Sequence, residues 1–149
     1  MGITLNGGSI KVVADLNNLD RNTRIGLRRG WDAVGRILVK SIKDEVLRGK
    51  KTGRIYKVQR GKSTRKIRAS AAGETPANRT GAYRKSMGFQ IDGDKSLEFG
   101  SREGSAPYSL FLEMGTSRMK PRTGLKNALN AEKTATKKAL EDNIQKAIK

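Results

Sequence analysis

The side chains that could do chemistry in this chain of 149 residues are few in kind, because the sequence contains neither cysteine nor histidine. Without cysteine there is no disulfide framework, no thiolate nucleophile and no cysteine-type zinc site. Without histidine there is no triad base, no haem ligand of the common kind and no group that titrates near neutral pH in its ordinary state. Catalysis would have to rely on carboxylates, lysines, tyrosines and hydroxyl groups.

Close pairs of acidic residues are the first candidates for a metal-dependent active site, and three are present: Asp15 with Asp20, Asp44 with Glu45, and Asp92 with Asp94. A metal-dependent nuclease needs two or three converging carboxylates, commonly with a lysine, to hold the metal and orient water. Residues 92–95, Asp-Gly-Asp-Lys, followed by Glu98, come nearest to that requirement. Asp-Gly between two strand-like runs is, however, what a hairpin turn requires by itself, so the pattern predicts a turn.

Sequence signatures of other enzymes are missing as well. Residues 49–52, Gly-Lys-Lys-Thr, lack the upstream glycine of a phosphate-binding loop and follow a helical pattern rather than a strand. No nucleophile elbow is present. We therefore expect no enzymatic activity, no metal and no cofactor.

Positive charge is the most pronounced property of the sequence. The chain has 32 Lys and Arg against 14 Asp and Glu, a formal net charge of +18. Between Arg48 and Lys85 lie 13 of the basic residues and one acid, Glu74, so this quarter of the chain carries +12. An excess of this size indicates an anionic partner, a strongly polarised surface, or both.

Nine basic residues in this stretch are candidates to face DNA or the lumen of an assembly: Lys50, Lys51, Arg54, Lys57, Arg60, Lys62, Arg65, Lys66 and Arg68. They could follow a phosphate backbone, with an affinity that falls steeply as salt rises. Tyr56 is the one aromatic residue among them, which gives little support for stacking on bases. A solvated hairpin, or one that contacts a neighbouring subunit, would carry the same residues.

These residues need a scaffold, and the sequence predicts one α+β domain spanning residues 1–149. Residues 3–13 indicate a strand with a bend or turn at 6–8. A long amphipathic helix is expected after Asn17 and Asn18 as far as about Leu47, capped by Asn18 or Asp20 and ended by Gly49. Gly30 and Gly35 inside this pattern would be explained by a close approach of the helix to the sheet.

The basic stretch itself alternates as a hairpin would, with strands at 54–60 and 66–69 and a turn at 61–64. It has little apolar surface to bury. Residues 48–80 are therefore expected to form a protruding excursion, a property compatible with ordering only on assembly.

The second half of the chain is predicted to supply the rest of the core. A loop over 71–79 leads to a short helix capped by Thr80, and strands at 88–91 and 97–99 flank the turn at 92–95. One or two helical turns follow at 108–112, and from Leu125 the pattern is helical to the end. The expected architecture is a small antiparallel sheet packed by a long N-terminal amphipathic helix and a C-terminal helix, with a protruding basic hairpin.

Membrane insertion and secretion find no support in the sequence. The longest apolar runs are two or three residues, which predicts no transmembrane helix. The first four residues, Met-Gly-Ile-Thr, show no basic region followed by an apolar one, so no signal peptide is expected.

Two segments of the chain resemble a known family. Residues 70–86 resemble the segment "SApGEpPA…TGxLxxSi", and residues 108–122 resemble the segment "Y…LExGTxxMxxRPF", of a family of bacteriophage minor tail components. The resemblance covers residues 17–129, with the two motifs in the right order and spacing. The matching residues, which are also candidates for contacts between subunits, are Gly73, Glu74, Pro76, Thr80, Gly81, Glu113, Gly115, Thr116, Met119 and Pro121. Where the family often has Arg-Pro-Phe, this chain has Lys-Pro-Arg at 120–122, and we expect Leu125 to fill the place of the missing aromatic ring.

The resemblance implies a structural virion protein without enzymatic activity or cofactor. Such proteins complete or terminate the tail and join it to the DNA-filled head, as part of a ring around the axis of the DNA and the tail tube. The implied partners are further copies of the chain, the adjacent head-connector and tail-tube proteins, and genomic DNA passing through the lumen, with no membrane. The implied location is the neck or tail of the virion, assembled in the host cytoplasm. Six or twelve copies, and a terminator or a completion position, remain open.

A different class of function is also consistent with the residues. A stand-alone basic domain that binds nucleic acid through phosphate contacts would show the same local charge. The two hypotheses differ in where the charge is used, inside an assembly or in solution.

Overall fold

The computed structural model describes residues 2–6, 9–13, 19–102 and 107–149. Its fold is α+β, as the sequence predicts. In chain order the described elements are the strands β1 (Gly2–Asn6) and β2 (Ser9–Val13), helix α1 (Arg21–Arg48), strands β3 (Ile55–Arg60) and β4 (Ser63–Arg68), helix α2 (Ala82–Ser86), strands β5 (Met87–Asp92) and β6 (Ser96–Ser101), and helices α3 (Ser109–Met114), α4 (Gly124–Ala131) and α5 (Lys133–Ile148).

The main sheet of the described residues is antiparallel, with strand order β1-β2-β6-β5. Ile10 on β2 lies opposite Phe99 on β6, and Phe99 lies opposite Phe89 on β5, so these three side chains share one face. Ile10 and Phe99 are buried there. Gly93, with φ +57°, and the hydrogen bond from Lys95 N to Asp92 O at 3.0 Å confirm the predicted turn between β5 and β6.

Helix α1 covers that apolar face. Its N-cap is Asp20, which accepts a hydrogen bond from Thr23 N at 2.6 Å, and Gly49 follows its last turn, as expected. Asn18, the other predicted cap, lies outside the described residues. The buried stripe recurs at three- and four-residue steps: Gly26, Leu27, Gly30, Trp31, Val34, Gly35, Leu38, Ile42 and Val46. This spacing is the one that the predicted amphipathic helix requires, so the buried side of α1 follows from the periodicity of its apolar residues.

The glycines of α1 mark its closest approaches to other elements. A Cβ atom on Gly35 would clash with the ring of Phe89 on β5, which confirms a close helix–sheet approach at that position. The same explanation is wrong for Gly30, where the nearest atom, at 2.6 Å, is Cδ1 of Leu140 on α5. A Cβ on Gly26 would lie 2.8 Å from Cα of Ile144, also on α5. Two of these glycines therefore allow α5 to pack tightly along α1.

The predicted C-terminal helix is divided in two at Glu132, whose φ of −97° and ψ of 10° depart from helical values. Leu125 and Ala128 of α4 are fully buried in the core with α1 and the sheet. Helix α5 continues as an outer layer against α1 and has no buried residue. Within the described part of the chain, no helix is both long and apolar enough to cross a membrane.

Candidate functional site

The two segments that carry the family resemblance fold into one structural unit. The amide of Gly73 in the first segment donates to the carbonyl of Pro121 in the second at 2.9 Å. Asn127 Nδ2, on α4, donates to the carbonyl of Gly73 at 2.9 Å. Gly73 has φ +78°, a conformation that favours glycine. The loop before α2 is thus fixed to the loop before α4.

Glu113 is the central side chain of this unit. Although it is charged in its ordinary state, it is only 6% exposed. Its Oε1 accepts hydrogen bonds from the Tyr83 hydroxyl at 2.9 Å and from the amide of Leu125 at 3.0 Å. One carboxylate therefore joins α2, α3 and the start of α4.

Burial controls the titration of this pair. Desolvation raises the pKa of Glu113, although the donors Leu125 N, Tyr83 Oη and the Gly124 amide act in the opposite direction. Burial, and then the nearby Glu113 carboxylate, raise the pKa of Tyr83 far above its ordinary value, so the hydroxyl remains a donor. The family motif identified Glu113 in the sequence, but nothing in the pattern identified Tyr83 as its partner.

A tight turn follows α3. Gly115 has φ +78°, and a Cβ at that position would lie 2.7 Å from the Met119 carbonyl oxygen. Thr116 and Met119 exchange backbone hydrogen bonds of 2.7 and 3.2 Å, and Thr116 Oγ1 accepts from the amide of Arg118 at 3.2 Å. Gly115 therefore supplies the positive φ of this turn, and the Thr116 hydroxyl satisfies one of its backbone amides.

The remaining motif residues shape the first loop. Pro76 is buried, and its Cδ would lie 3.0 Å from a Cβ placed on Gly124. Thr80 was predicted to cap α2, but Gly81, with φ +85°, occupies the N-cap position. The Thr80 hydroxyl still accepts a hydrogen bond from the amide of Ala82, at 3.3 Å. The prediction placed the cap one residue early because it could not include the left-handed turn at Gly81.

Glu74 fastens this unit to the base of the basic hairpin. Its carboxylate accepts hydrogen bonds from Thr52 Oγ1 at 2.7 Å, from Ala71 N at 2.7 Å and from Thr52 N at 3.0 Å. These donors lower the pKa of Glu74 to about 2, with the Thr52 hydroxyl making the largest contribution. Backbone bonds of 2.9 Å from Gly53 N to Ala69 O and from Ala69 N to Arg54 O close the hairpin at the same point.

The basic hairpin consists of β3 and β4 with a turn at Gly61, which confirms the predicted hairpin. The predicted turn at 61–64 was too long, because Ser63 and Thr64 already pair with Arg60 and Gln59 as the start of β4. Its two faces differ, because paired residues of an antiparallel ribbon point to the same side. We call the side with Tyr56, Val58, Arg65 and Ile67 the inner face, and the side with Ile55, Lys57, Lys66 and Arg68 the outer face. Lys57 lies directly opposite Lys66 on the outer face.

The nine candidate basic residues do not all have the same environment. Lys51 Nζ donates to the carbonyls of Gly49 and Glu45 at 3.0 and 3.1 Å, and partial burial lowers its pKa, so it caps α1 rather than facing outward. The side chain of Arg60 lies outside what the structure describes. The other seven side chains are exposed: Lys50, Arg54, Lys57, Lys62, Arg65, Lys66 and Arg68. The ion pairs of the described residues lie elsewhere, at Arg24–Asp94, Arg36–Asp32 and Lys137–Glu141.

A cavity of about 520 Å³ separates the inner face of the hairpin from the motif unit. Its apolar lining comes from both sides: Tyr56, Val58, Ile67, Pro76, Tyr108 and Leu112. Lys57, Arg79 and Arg122 also line it, and no acidic residue of the described chain does. Sequence analysis missed this cavity because its walls come from five separate segments, none of which carries a binding motif by itself.

The acidic pairs considered for metal binding have other roles or lie apart. Asp20 caps α1, and Asp94 pairs with Arg24 at 2.7 Å, while Asp15 falls outside the described residues. Among the residues that the structure describes, no three His, Cys, Asp or Glu side chains are grouped so that they could hold a metal ion.

Comparisons with known proteins add no relative. No family model, no curated protein and no solved structure matches the chain.

Proposed function

We propose that the chain is a structural subunit of a phage neck, which completes or terminates the tail and joins it to the DNA-filled head. The observation that carries this proposal is the joining of the two family-like segments into one unit around buried Glu113. The motif residues described above serve turns, caps and backbone bonds.

The hairpin supports the same proposal. Its exposed basic residues have no acidic partner within the described chain, and its strands pair with each other without extensive contact to other elements. In a closed ring, each subunit would present this hairpin to DNA in the lumen or to a neighbouring subunit through a head-to-tail interface. The proposed partners are copies of the chain, adjacent connector and tail-tube proteins, and DNA, within a virion assembled in the host cytoplasm.

One observation favours a second function, a stand-alone domain that binds nucleic acid. Like charges directly opposite each other destabilise a β-ribbon. The repulsion between Lys57 and Lys66 therefore lowers the stability of the hairpin unless an anion lies over the two lysines. A phosphate backbone would supply that anion. In this case the charge would act in solution, without an assembly.

Light scattering of the full chain, with and without a short DNA duplex, distinguishes these functions. At salt concentrations of about 50 and 200 mM, the neck subunit is expected to be a discrete ring-sized oligomer, or a monomer indifferent to DNA at the higher salt. A monomer or dimer that binds DNA at micromolar strength and loses it steeply with salt would contradict the neck proposal and favour the second function.

A hairpin variant tests the use of the charge directly. The hairpin variant has Gln in place of four basic residues: Lys62, Arg65, Lys66 and Arg68. The control variant has Gln in place of four exposed lysines of the C-terminal region: Lys133, Lys138, Lys146 and Lys149. For a neck subunit, the hairpin variant should impair particle assembly or DNA retention, while the control variant supports normal yields. Normal yields with the hairpin variant would contradict a lumen role. For the second function, the hairpin variant should lose several units of the log–log salt slope for DNA binding.

A further inference from the structure

The cavity beneath the inner face of the hairpin has the size and lining of a binding site. Its volume of about 520 Å³ lies within the usual range for ligand sites. Tyr56 and Tyr108 line it and remain 53% and 42% exposed, and Phe111 and Met114, on the same helix as Leu112, are 54% and 60% exposed. Aromatic and methionine side chains are enriched where proteins bind each other.

From its chemistry we propose that this cavity is the docking site for an extended, acidic and apolar peptide segment of a different protein. Apolar side chains of the segment enter between Val58, Ile67 and Leu112. Its carboxylates meet Arg79 and Arg122. That the segment belongs to a neighbouring virion protein rests on the proposed function, whereas the peptide chemistry rests on the cavity alone.

The positive charge of the cavity lining predicts a negatively charged occupant. Two arginines, Arg79 and Arg122, line the cavity, and no acidic residue of the described chain lines it with them. A neutral or basic segment would leave these cations without partners, while a carboxylate beside an apolar anchor would satisfy both kinds of wall.

A second copy of this chain is a poor occupant. The exposed apolar side chains of α1 and α5, Ile25, Leu47 and Ile148, each stand next to a basic residue in sequence: Arg24, Arg48 and Lys149, respectively. Any of these three entering the cavity would bring positive charge towards Arg79 and Arg122. The described surfaces of α1 and α5 therefore do not suit the cavity, which favours a different chain with acidic residues.

Nucleic acid fits the outer face better than the cavity. Lys66 and Arg68 lie on the outer face, where they can contact phosphate groups. The apolar side chains that line the cavity provide neither positive charge nor hydrogen-bond donors to a phosphate: Val58, Ile67, Pro76 and Leu112. The outer face thus carries three of the cations, Lys57, Lys66 and Arg68, whereas the inner face carries one described cation, Arg65, beside the apolar side chains.

An NMR titration of the isotope-labelled full chain tests the proposal with three probes. These are a blocked peptide Asp-Leu-Asp-Phe-Asp-Leu, its counterpart with Asn in place of each Asp, and a short single-stranded oligothymidylate. The acidic peptide should bind with a dissociation constant below about 1 mM, at least about tenfold more tightly than the Asn peptide. The largest shifts should fall on residues 56–58, 67, 76–81 and 108–112.

Matched variants locate the binding. Val58→Glu and Arg79→Glu should each weaken the acidic peptide about tenfold or more, while Lys66→Gln on the outer face changes it less than about threefold. Spectra of each free variant show whether the core signals of Trp31 and Leu97 are retained, so a folding defect is recognised.

Several results would overturn the cavity proposal. They are equal binding of the two peptides, no shifts at millimolar peptide, shifts outside the cavity, or tighter binding of the oligothymidylate at the same residues, which would make the cavity a nucleotide site. None of these results depends on particle assembly. A chain that binds the peptide but never enters particles would contradict the neck proposal only, and a chain that enters particles without binding would contradict the cavity proposal only.

Discussion

Glu113 is the residue on which the motif unit depends most, because two buried donors share its Oε1. Replacing it with Ala leaves the Tyr83 hydroxyl and the Leu125 amide without an acceptor, which should lower the free energy of unfolding by about 2–4 kcal/mol. Gln keeps an oxygen at the same position and should cost about 1 kcal/mol or less. Urea unfolding of both variants at one pH gives the comparison, and equal losses would contradict the role assigned to Oε1.

The titration of Glu113 provides a second test. Burial raises its pKa in the folded state, so the folded chain holds this proton more tightly than the unfolded chain does. The stabilising contribution of the protonated form is complete below the ordinary value of 4.5 and is lost as pH rises through the folded pKa. Relative to Glu113→Gln, the original chain should therefore become less stable from pH 4.5 upward. A stability difference that does not change with pH would show that the carboxyl is not desolvated.

Glu74 should respond in the opposite direction and in a lower window. Its pKa of about 2 in the folded state lies below the ordinary 4.5, so the folded chain releases this proton more readily than the unfolded chain. The contribution of Glu74 is present above pH 4.5 and is lost as pH falls towards 2. In acid unfolding experiments, Glu74→Gln should reduce the loss of stability between pH 4.5 and about 2. The control Asp142→Asn, at an exposed position of α5, should leave this loss unchanged.

Among the elements, those with a strong hydrophobic periodicity could be predicted from the sequence. Features that depend on packing against another element could not. The stripe from Leu27 to Val46 fixed the buried side of α1, and the alternation around Gly61 and Gly93 fixed two hairpins. The division at Glu132 was missed because apolar positions continue at helical spacing across it. Gly30 was assigned to the wrong neighbour because a glycine in a helix shows that something lies close, but not which element it is.

The packing of α5 on α1 can be tested at Gly26. Its added Cβ would meet the backbone of Ile144 at 2.8 Å, so α5 would have to move away. The strain of overpacking should exceed the gain in helix propensity, giving a net loss of about 1–2 kcal/mol for Gly26→Ala. Arg28→Ala, on the exposed side of α1, is the control and should be neutral or slightly stabilising. Thermal unfolding of the two variants measures the difference, and a stabilised Gly26→Ala would contradict the close packing.

At the scale of the whole molecule, the cavity and the outer face show why the candidate site was only half predictable. The local charge between Arg48 and Lys85 is visible in the sequence, and so are the motif residues. Their arrangement is not, since the strand register decides that Tyr56, Val58 and Ile67 share one side while Lys57 and Lys66 share the other. Folding thereby converts a uniformly basic segment into a ribbon with two different faces.

The pair Lys57–Lys66 connects the stability of the free chain with binding by the assembled one. In the free chain the two like charges repel across the ribbon, so Lys66→Glu, which creates an opposite-charge pair, should slow amide exchange of β3 and β4 about two- to fivefold. If an anion normally covers this face, the same change must weaken that contact, reducing the log–log salt slope of duplex binding by about one to two units or impairing incorporation into particles. Lys62→Glu at the turn, which has no lysine opposite, is the control for net charge. A Lys66→Glu chain that is protected against exchange and yet unimpaired in both assays would show that the outer face has no anionic partner, and the repulsion between the two lysines would then have no functional explanation.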